Sequence, residues 1–407
     1  MNILFLSELF FPHGSGAELA TFLYARLLSR VGFKIVVVTN RFASEPEITK
    51  TGNLVVQRLP LFEKHDATKY SMLKRLDVLL TGHMRRMIKW ADLVYVPRFW
   101  FSTIPLAKAY RKPVLTHLHD YIPVCPLSNM YDFSRNSDCS SRSTFCSARC
   151  IFAYERVRGR SSEETLASAA LNSSLGRFLP QFVRHSDAIV CVSKTQKRII
   201  TEKDATLRHK IHVVYNPLPE YSSARTSGDD FGYFGGPSYL KGFHVLCRAM
   251  KDLRKETNVP LRIHATQFPN SEGRLLKSFG SNELLLYCKL EKDQYEHLYK
   301  KIRTVIVPSI WHEPWPYTVA EALAQGRLVI ASRVGGIPEQ VQGCNGAYLS
   351  EAGNTSELAE SIQAVHGLKK EEAANLGAQN KSTFLRRFDN ESTLKRFINL
   401  CDNLTCS

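Results

Sequence analysis

Two carboxylates eight residues apart, Glu313 and Glu321, stand in the stretch of this sequence best suited to chemistry. The run Val307-Pro308-Ser309-Ile310-Trp311-His312-Glu313-Pro314-Trp315-Pro316-Tyr317-Thr318 leads into Val319-Ala320-Glu321-Ala322-Leu323-Ala324-Gln325-Gly326. It reads as a strand end, a polar loop presenting Glu313, and a helix that opens after the prolines with Glu321 about one turn inside. Ionised carboxylates accept strong hydrogen bonds, so two of them in one cleft suit several sugar hydroxyls. The unpaired N–H groups at the helix start suit a diphosphate. Spacing alone carries nothing, because Glu155/Glu163 and Glu283/Glu291 have the same separation. The surrounding strand, loop and helix carry the signal.

A second candidate is the loop Gly14-Ser15-Gly16, which opens a helix and offers backbone N–H groups to a phosphate or sugar. It is not a dinucleotide fingerprint. Leu19 stands where a third glycine belongs, and the next strand ends in Thr39-Asn40-Arg41 with no carboxylate for a ribose. A third candidate is Cys125, Cys139, Cys146 and Cys150, set in a Ser/Asn/Arg-rich stretch with little apolar content. Four thiolates there could hold a structural zinc, two disulfides could staple the loop, or the thiols could stand alone.

The elements that must position these groups follow from periodicity. A buried strand over Ile3–Ser7, a helix over Ala17–Arg30 and a β-branched strand over Phe33–Thr39 make one βαβ unit. Strands follow at Leu93–Val96, Pro113–His117, Ala188–Val192 and Ile211–Tyr215, with helical segments between them, notably Tyr70–Trp90. After the polar stretch Pro219–Asp230 a second series begins. Its strands are Gly232–Gly235, Leu261–Ala265, Glu283–Cys288, Thr304–Pro308 and Leu328–Ser332. Its helices are Phe243–Thr257, Thr318–Gln325 and Thr355–Val365. Strand–helix alternation twice over predicts two parallel sheets, with ligands beyond the carboxyl ends of their strands.

Bulk properties narrow the function. A chain of 407 residues with 44% hydrophobic and 23% charged residues is globular and long enough for two domains. The opening Met1–Ser7 reads as a first strand and not as a signal peptide, and no apolar run reaches bilayer length, so a cytoplasmic protein is expected. The net charge of +16 fits phosphorylated substrates, an anionic membrane or nucleic acid. Nucleic acid ranks last, because no zinc-finger spacing, RNP-type aromatic pattern or basic zipper is present. Between Tyr70 and Trp90, Lys74, Arg75, Arg85, Arg86 and Lys89 intersperse with Met72, Leu73, Leu76, Leu79, Leu80, Met84 and Met87. Such a helix either packs on a core with a solvated basic face or lies on anionic lipid.

The segment Ser309–Gly326, continuing into Val329-Ile330-Ala331-Ser332-Arg333-Val334-Gly335-Gly336-Ile337-Pro338-Glu339, resembles the retaining glycosyltransferases of family 4. Phe11-Pro12-His13-Gly14-Ser15-Gly16-Ala17-Glu18, His117-Leu118-His119-Asp120, Val192-Ser193, Val214-Tyr215-Asn216-Pro217 and Lys241-Gly242 fall in that family's order. The resemblance implies an α/β GT-B fold, two Rossmann-like doubly wound domains with a deep interdomain cleft. It implies an acceptor-side domain over 1–218 containing the Cys loop 121–150, a donor domain over 219–387, and a C-terminal helix over 388–407 packing back on the first domain. The implied activity moves a sugar from a nucleotide-diphosphate sugar to an acceptor with retention. The implied acceptor is a glycan or lipid-linked molecule, with the enzyme cytoplasmic or peripheral on the inner membrane face.

The implied roles follow the matched positions. Glu313 would hydrogen-bond the donor sugar, Glu321 the nucleotide ribose, and Lys241 would neutralise the departing diphosphate. His119 would line the reaction centre and Gly16 would lie under the diphosphate or sugar, with Pro314, Trp315, Pro316 and Tyr317 on the donor. No metal is required for catalysis, which is electrostatic stabilisation of the leaving group. The chain departs from the family in two places: Gly236 stands where an arginine is common, and Trp315-Pro316 occupies a turn that usually carries glycine. Two alternatives share the architecture: a nucleotide-sugar epimerase, and a degenerate sugar-nucleotide-binding protein without catalysis.

Overall fold

The computed structural model describes residues 1–43, 45–63, 71–73, 75–140, 148–221, 228–253, 260–269, 275–279 and 281–406. The chain divides into two units, Met1–Pro219 with Asp389–Ser407, and Glu220–Phe388.

The N-terminal unit opens with β1 (Asn2–Leu6), α1 (Gly16–Arg30) and β2 (Lys34–Asn40). A hairpin of β3 (Ile48–Thr51) and β4 (Leu54–Leu59) follows, then α2 (Leu76–Leu79), α3 (Gly82–Trp90), β5 (Leu93–Val96), α4 (Thr103–Ala109) and β6 (Val114–Leu118). The small ladder of β7 (Tyr131–Asp132) and β8 (Ser137–Asp138) precedes α5 (Ala148–Val157) and α6 (Ser162–Arg184). Then come β9 (Ala188–Cys191), α7 (Lys194–Lys203) and β10 (Ile211–Val213). The eight-stranded sheet runs β10-β9-β6-β5-β1-β2-β4-β3. Its strand order reverses between β1 and β5, which are hydrogen-bonded neighbours. In open α/β sheets that reversal point is where ligands sit, outside the carboxyl ends of the strands.

The second unit contains β11 (Asp230–Tyr233), α8 (Phe243–Asp252), β12 (Arg262–Ala265), β13 (Leu275–Phe279), β14 (Asn282–Leu286), α9 (Lys292–Lys301) and β15 (Ile302–Val307). It continues through α10 (Tyr317–Ala324), β16 (Leu328–Ser332), α11 (Ile337–Val341), β17 (Ala347–Ser350), α12 (Thr355–His366) and α13 (Lys370–Arg387). The sheet order is β13-β14-β12-β11-β15-β16-β17, so the reversal lies between β11 and β15. The expected series of strands is present in both units. The expectation of wholly parallel sheets is corrected at one edge of each: β3–β4 and β13–β14 are antiparallel. Short connections join these edge pairs, and a connection of two or a few residues can only return the chain antiparallel.

The last helix, α14 (Asn390–Thr405), belongs to the N-terminal unit. Its Phe397, Leu400 and Cys401 share a buried core with Ile3, Phe5, Tyr24 and Tyr95. The Phe397 ring lies 4.5 Å from that of Tyr24 and 5.5 Å from that of Tyr95. Truncating such a buried ring to alanine costs about 3–5 kcal/mol, so this helix is part of the unit's core and not an appendage.

The single helix expected over Tyr70–Trp90 is not what forms. Ser71–Leu73 makes a 3-10 turn, α2 ends at Leu79, and α3 starts afresh at Gly82. The restart has a local cause: Thr81 takes an extended conformation and its hydroxyl caps α3 by accepting from Met84 N at 3.2 Å. Arg75, expected on a free basic face, instead pairs with Asp77 and donates to the carbonyls of Pro60 and Leu61. Tyr70 and Lys74 lie outside the described residues. No helix among the described residues is long and apolar enough to cross a membrane.

Candidate functional site

At the reversal point of the second unit, the loop after β11 meets the loop after β15. Lys241 comes from the first and Glu313 from the second, with Nζ and Oε1 2.6 Å apart. Ser309, just past the end of β15, donates from its hydroxyl to the same Oε1 at 2.7 Å. Glu313 is 3% exposed, whereas the Lys241 side chain is 37% exposed. A buried carboxylate tied to a half-exposed ammonium contributes little net stability, because desolvation offsets the attraction. The pair holds the Lys241 ammonium in one place at the end of the loop.

Glycines explain how the two loops approach. Gly242 has φ +74°, and a Cβ there would collide with the Pro308 carbonyl. Leu240 O accepts from Ile310 N at 2.9 Å across the same junction. On the other side, Gly335 has φ +54°, and a Cβ would run into the Glu313 backbone. Gly336 N donates to Glu313 O at 2.7 Å. Glu313 is therefore clamped by Lys241 from 72 residues away, by the nearby Ser309 and by the Gly335-Gly336 turn, with its side chain and its backbone both held.

Glu321 lies on α10 and turns towards α9. Tyr295 donates to its Oε2 at 3.0 Å and Gln325 to its Oε1 at 3.1 Å. Burial pushes its pKa up to about 7, against the pull of these hydrogen bonds and of Arg327. Beside it is a cavity of about 160 Å³ lined by Tyr221, Tyr295, Tyr299, Gln325 and Arg327 among others. Pro316 is the N-cap of α10, and its carbonyl accepts from Val319 N and Ala320 N. Pro314 and Trp315 are buried, the Trp315 ring edge-on to Phe388 at 4.9 Å, while Tyr317 is half-buried.

In the N-terminal unit, α1 starts at Gly16 and its first turn is closed by Glu18, whose Oε2 accepts from Ser15 N at 2.6 Å. Gly14, at φ +95°, makes room for that carboxylate, since a Cβ would overlap it. His119 follows β6. Its ring stacks on His117 at 4.4 Å, and its buried Nε2 has no hydrogen-bond partner among the described residues. Burial, reinforced by the charge of Arg98, lowers its pKa to about 3. His117 in turn binds Tyr95 through Nδ1 at 2.7 Å. Burial thus favours the neutral imidazole, in which one ring nitrogen donates a hydrogen bond and the other accepts.

Gly236, in the place of the family arginine, has φ +62°, and a Cβ there would press on Gln267 O. A side chain at this position is strained, which gives the departure a backbone reason. Of the cysteine cluster, Cys146 lies outside the described residues. Cys139 N bonds Met130 O at 2.9 Å, and Cys150 Sγ bonds Tyr131 O at 3.7 Å. These contacts fold both segments onto the β7–β8 ladder. Among the described residues no three His, Cys, Asp or Glu side chains gather as a metal site. Sequence reasoning missed Ser309, Tyr295 and Gln325. Ser309 had a signal, a hydroxyl directly after a strand; Tyr295 had none, because it reaches Glu321 from another helix.

A family described as "Glycosyl transferases group 1" matches residues 225–383, and one described as "Glycosyltransferase Family 4" matches residues 14–220. An uncharacterized glycosyltransferase of Methanocaldococcus jannaschii is 30% identical over 220 residues, 53% of this chain and 60% of that protein. The lipopolysaccharide 1,2-N-acetylglucosaminetransferase of Salmonella typhimurium is 27% identical over 177 residues, 40% of this chain and 46% of that one. The alignments thus span about half the length of these two curated relatives. Among solved structures, sucrose-phosphate synthase from Thermosynechococcus elongatus superposes with a TM-score of 0.69 at 13% identity, covering 100% of this chain and 99% of that one. The Anabaena protein HepE in complex with UDP-glucose superposes with a TM-score of 0.62 at 16% identity, covering 99% and 100%.

Proposed function

The chain belongs to the group 1 glycosyltransferases of GT-B fold, and from that membership we propose that it moves a sugar from a nucleotide-diphosphate sugar to a glycan or lipid-linked acceptor with retention of configuration. The observation that carries the reading is the Lys241–Glu313–Ser309 cluster at the reversal point of the second unit. Bond cleavage between the sugar and the diphosphate puts charge on the departing phosphate. A fixed ammonium beside it stabilises that charge without reorganisation. In this proposal Glu313 has two tasks: it aims Lys241, and it accepts hydrogen bonds from donor-sugar hydroxyls. Glu321, once ionised, accepts from the ribose hydroxyls. His119, neutral throughout, acts on the acceptor side as a hydrogen-bonding group and not as a titrating acid.

The likeness to a lipopolysaccharide 1,2-N-acetylglucosaminetransferase supports a glycan or lipid-linked acceptor. For a lipid-linked acceptor, α3 with Arg85, Arg86 and Lys89 is the proposed contact with anionic headgroups, at about 1 kcal/mol for each base near the surface. The four cysteines are proposed as a structural staple; elemental analysis with thiol titration distinguishes zinc, disulfides and free thiols, and four free thiols without metal would end the staple.

The deciding experiment incubates the chain with a panel of labelled nucleotide sugars and follows nucleotide release with and without glycan acceptors. Acceptor-dependent release with a product of the donor's anomeric configuration is expected. Free-sugar release without acceptor would replace the reading with the epimerase alternative, and nucleotide binding without any release would replace it with the non-catalytic one.

A further inference from the structure

The N-terminal unit has an acid–base pair of its own at its reversal point. Glu8 lies two residues beyond the end of β1, and Arg98 two residues beyond the end of the neighbouring β5. Arg98 donates from Nε to Glu8 Oε1 at 3.1 Å, and the same Nε lies 2.9 Å from Glu18 Oε1. That bond to Glu8 is the one hydrogen bond the guanidinium makes to a described residue. Its outer nitrogens are left as donors beside the Phe99 ring, 4.5 Å away. Glu8 is 2% exposed, and its second oxygen, Oε2, is buried without a hydrogen-bond partner among the described residues. A buried carboxylate oxygen left bare is costly, and folded proteins leave few of them without a reason.

A role confined to tying β1, α1 and β5 together explains the inner contacts but not the bare oxygen or the outward donors. We propose that Glu8 and Arg98 form a sugar-hydroxyl subsite of the N-terminal unit, which binds two neighbouring hydroxyls of an uncharged sugar acceptor. A hydroxyl both donates and accepts. Glu8 Oε2 accepts from one hydroxyl, and the outer nitrogens of Arg98 donate to its neighbour. Charge selects the class of acceptor. Glu8, Glu18 and Asp120 all act on the single Arg98; burial raises the Glu8 pKa, yet the carboxyl groups outnumber the base, which disfavours phosphate and carboxylate ligands. The position, at the carboxyl ends of two strands where the sheet order reverses, is where this fold class binds ligands. The subsite rests on the transferase reading for calling its ligand an acceptor.

The test uses the full chain and saturation-transfer NMR with methyl glucoside, galactoside, mannoside and N-acetylglucosaminide. Glucose 6-phosphate and glucuronic acid serve as anionic counterparts, and UDP, ADP and GDP report the other unit. At least one neutral glycoside should bind, and more tightly than the anionic sugars. Glu8→Gln should weaken it about tenfold, the difference between a charged and a neutral acceptor. Arg98→Lys, which keeps the charge but removes the fork, should weaken it comparably, whereas a purely structural pair would tolerate this exchange. Melting temperatures and amide spectra identify a variant that has not folded. Equal glycoside affinity in wild type and both variants, preference for the anionic sugars, or no glycoside binding overturns the subsite. Glycoside binding without any nucleotide binding strikes the transferase reading and leaves the hydroxyl subsite standing.

Discussion

Each unit places a carboxylate and a base in the loops after the two strands that flank its reversal point, yet the two pairs are held differently. In the second unit, Glu313 receives Lys241 and Ser309 on one oxygen and has its backbone gripped by Gly335 and Gly336. In the N-terminal unit, Glu8 receives Arg98 on one oxygen, and its other oxygen is bare. A group whose partners come from its own chain keeps one geometry before any ligand arrives, which suits stabilising charge in a transition state. A group with unspent hydrogen-bonding capacity recognises whatever completes it. In these proposals both carboxylates keep an oxygen for a ligand, and what differs is that glycine-permitted loop contacts fix the Glu313 backbone in the second unit.

The sharpest way to break this comparison is to remove the base from the rigid centre. Lys241→Ala should lower the transfer rate by roughly a hundred- to a thousandfold, the scale of one lost charge-stabilising donor. A change under threefold in single-turnover rate would mean that another base owns the diphosphate. Loosening the clamp should do slightly less. Gly335→Ala forces the Glu313 backbone to move, and a misplacement of about 1 Å costs on the order of a hundredfold. Retained rate with retained fold would show that rigidity at Glu313 is unimportant.

A smaller effect comes from pH. The raised pKa of Glu321, about 7, means that the carboxyl is protonated below neutrality and ionised above it. Ribose hydroxyls bind the ionised form better, so nucleoside diphosphate affinity should rise with pH by up to about tenfold per unit below 7 and level off above. Calorimetric titration of wild type and Glu321→Gln between pH 5.5 and 8.5 should show a steeper rise in the wild type, the variant keeping only the titration of the ligand's own phosphate; parallel curves would remove Glu321 from the nucleotide site. The smallest effect concerns the family arginine. Gly236→Arg should cost about 1–2 kcal/mol of stability for a left-handed non-glycine residue, with no gain in rate. A faster enzyme without a lower melting temperature would show that the loop adapts.

Several of these features were legible along the chain. The strand at Leu93–Val96 and the strand at Leu328–Ser332 fall where β-branched runs place them, since a buried parallel strand is a local apolar pattern. The break before α3 was not, because an amphipathic run from 70 to 90 outweighs one capping threonine in any periodicity count. The antiparallel edges were hidden too, since edge strands of four or five residues such as Ile48–Thr51 are too short to carry a clear pattern.

Local sequence determined the kinds of elements, the glycines at the tight junctions, and the presence of Lys241, Glu313 and Glu321 at loop or helix-start positions. Those properties depend on residues within a few places of one another. Tertiary structure alone decided that Lys241 meets Glu313, that Tyr295 holds Glu321, and that Glu8 meets Arg98 ninety residues away. Strand order brings such loop ends together, and strand order is set by the packing of whole sheets and helices, for which no short stretch of sequence carries a pattern.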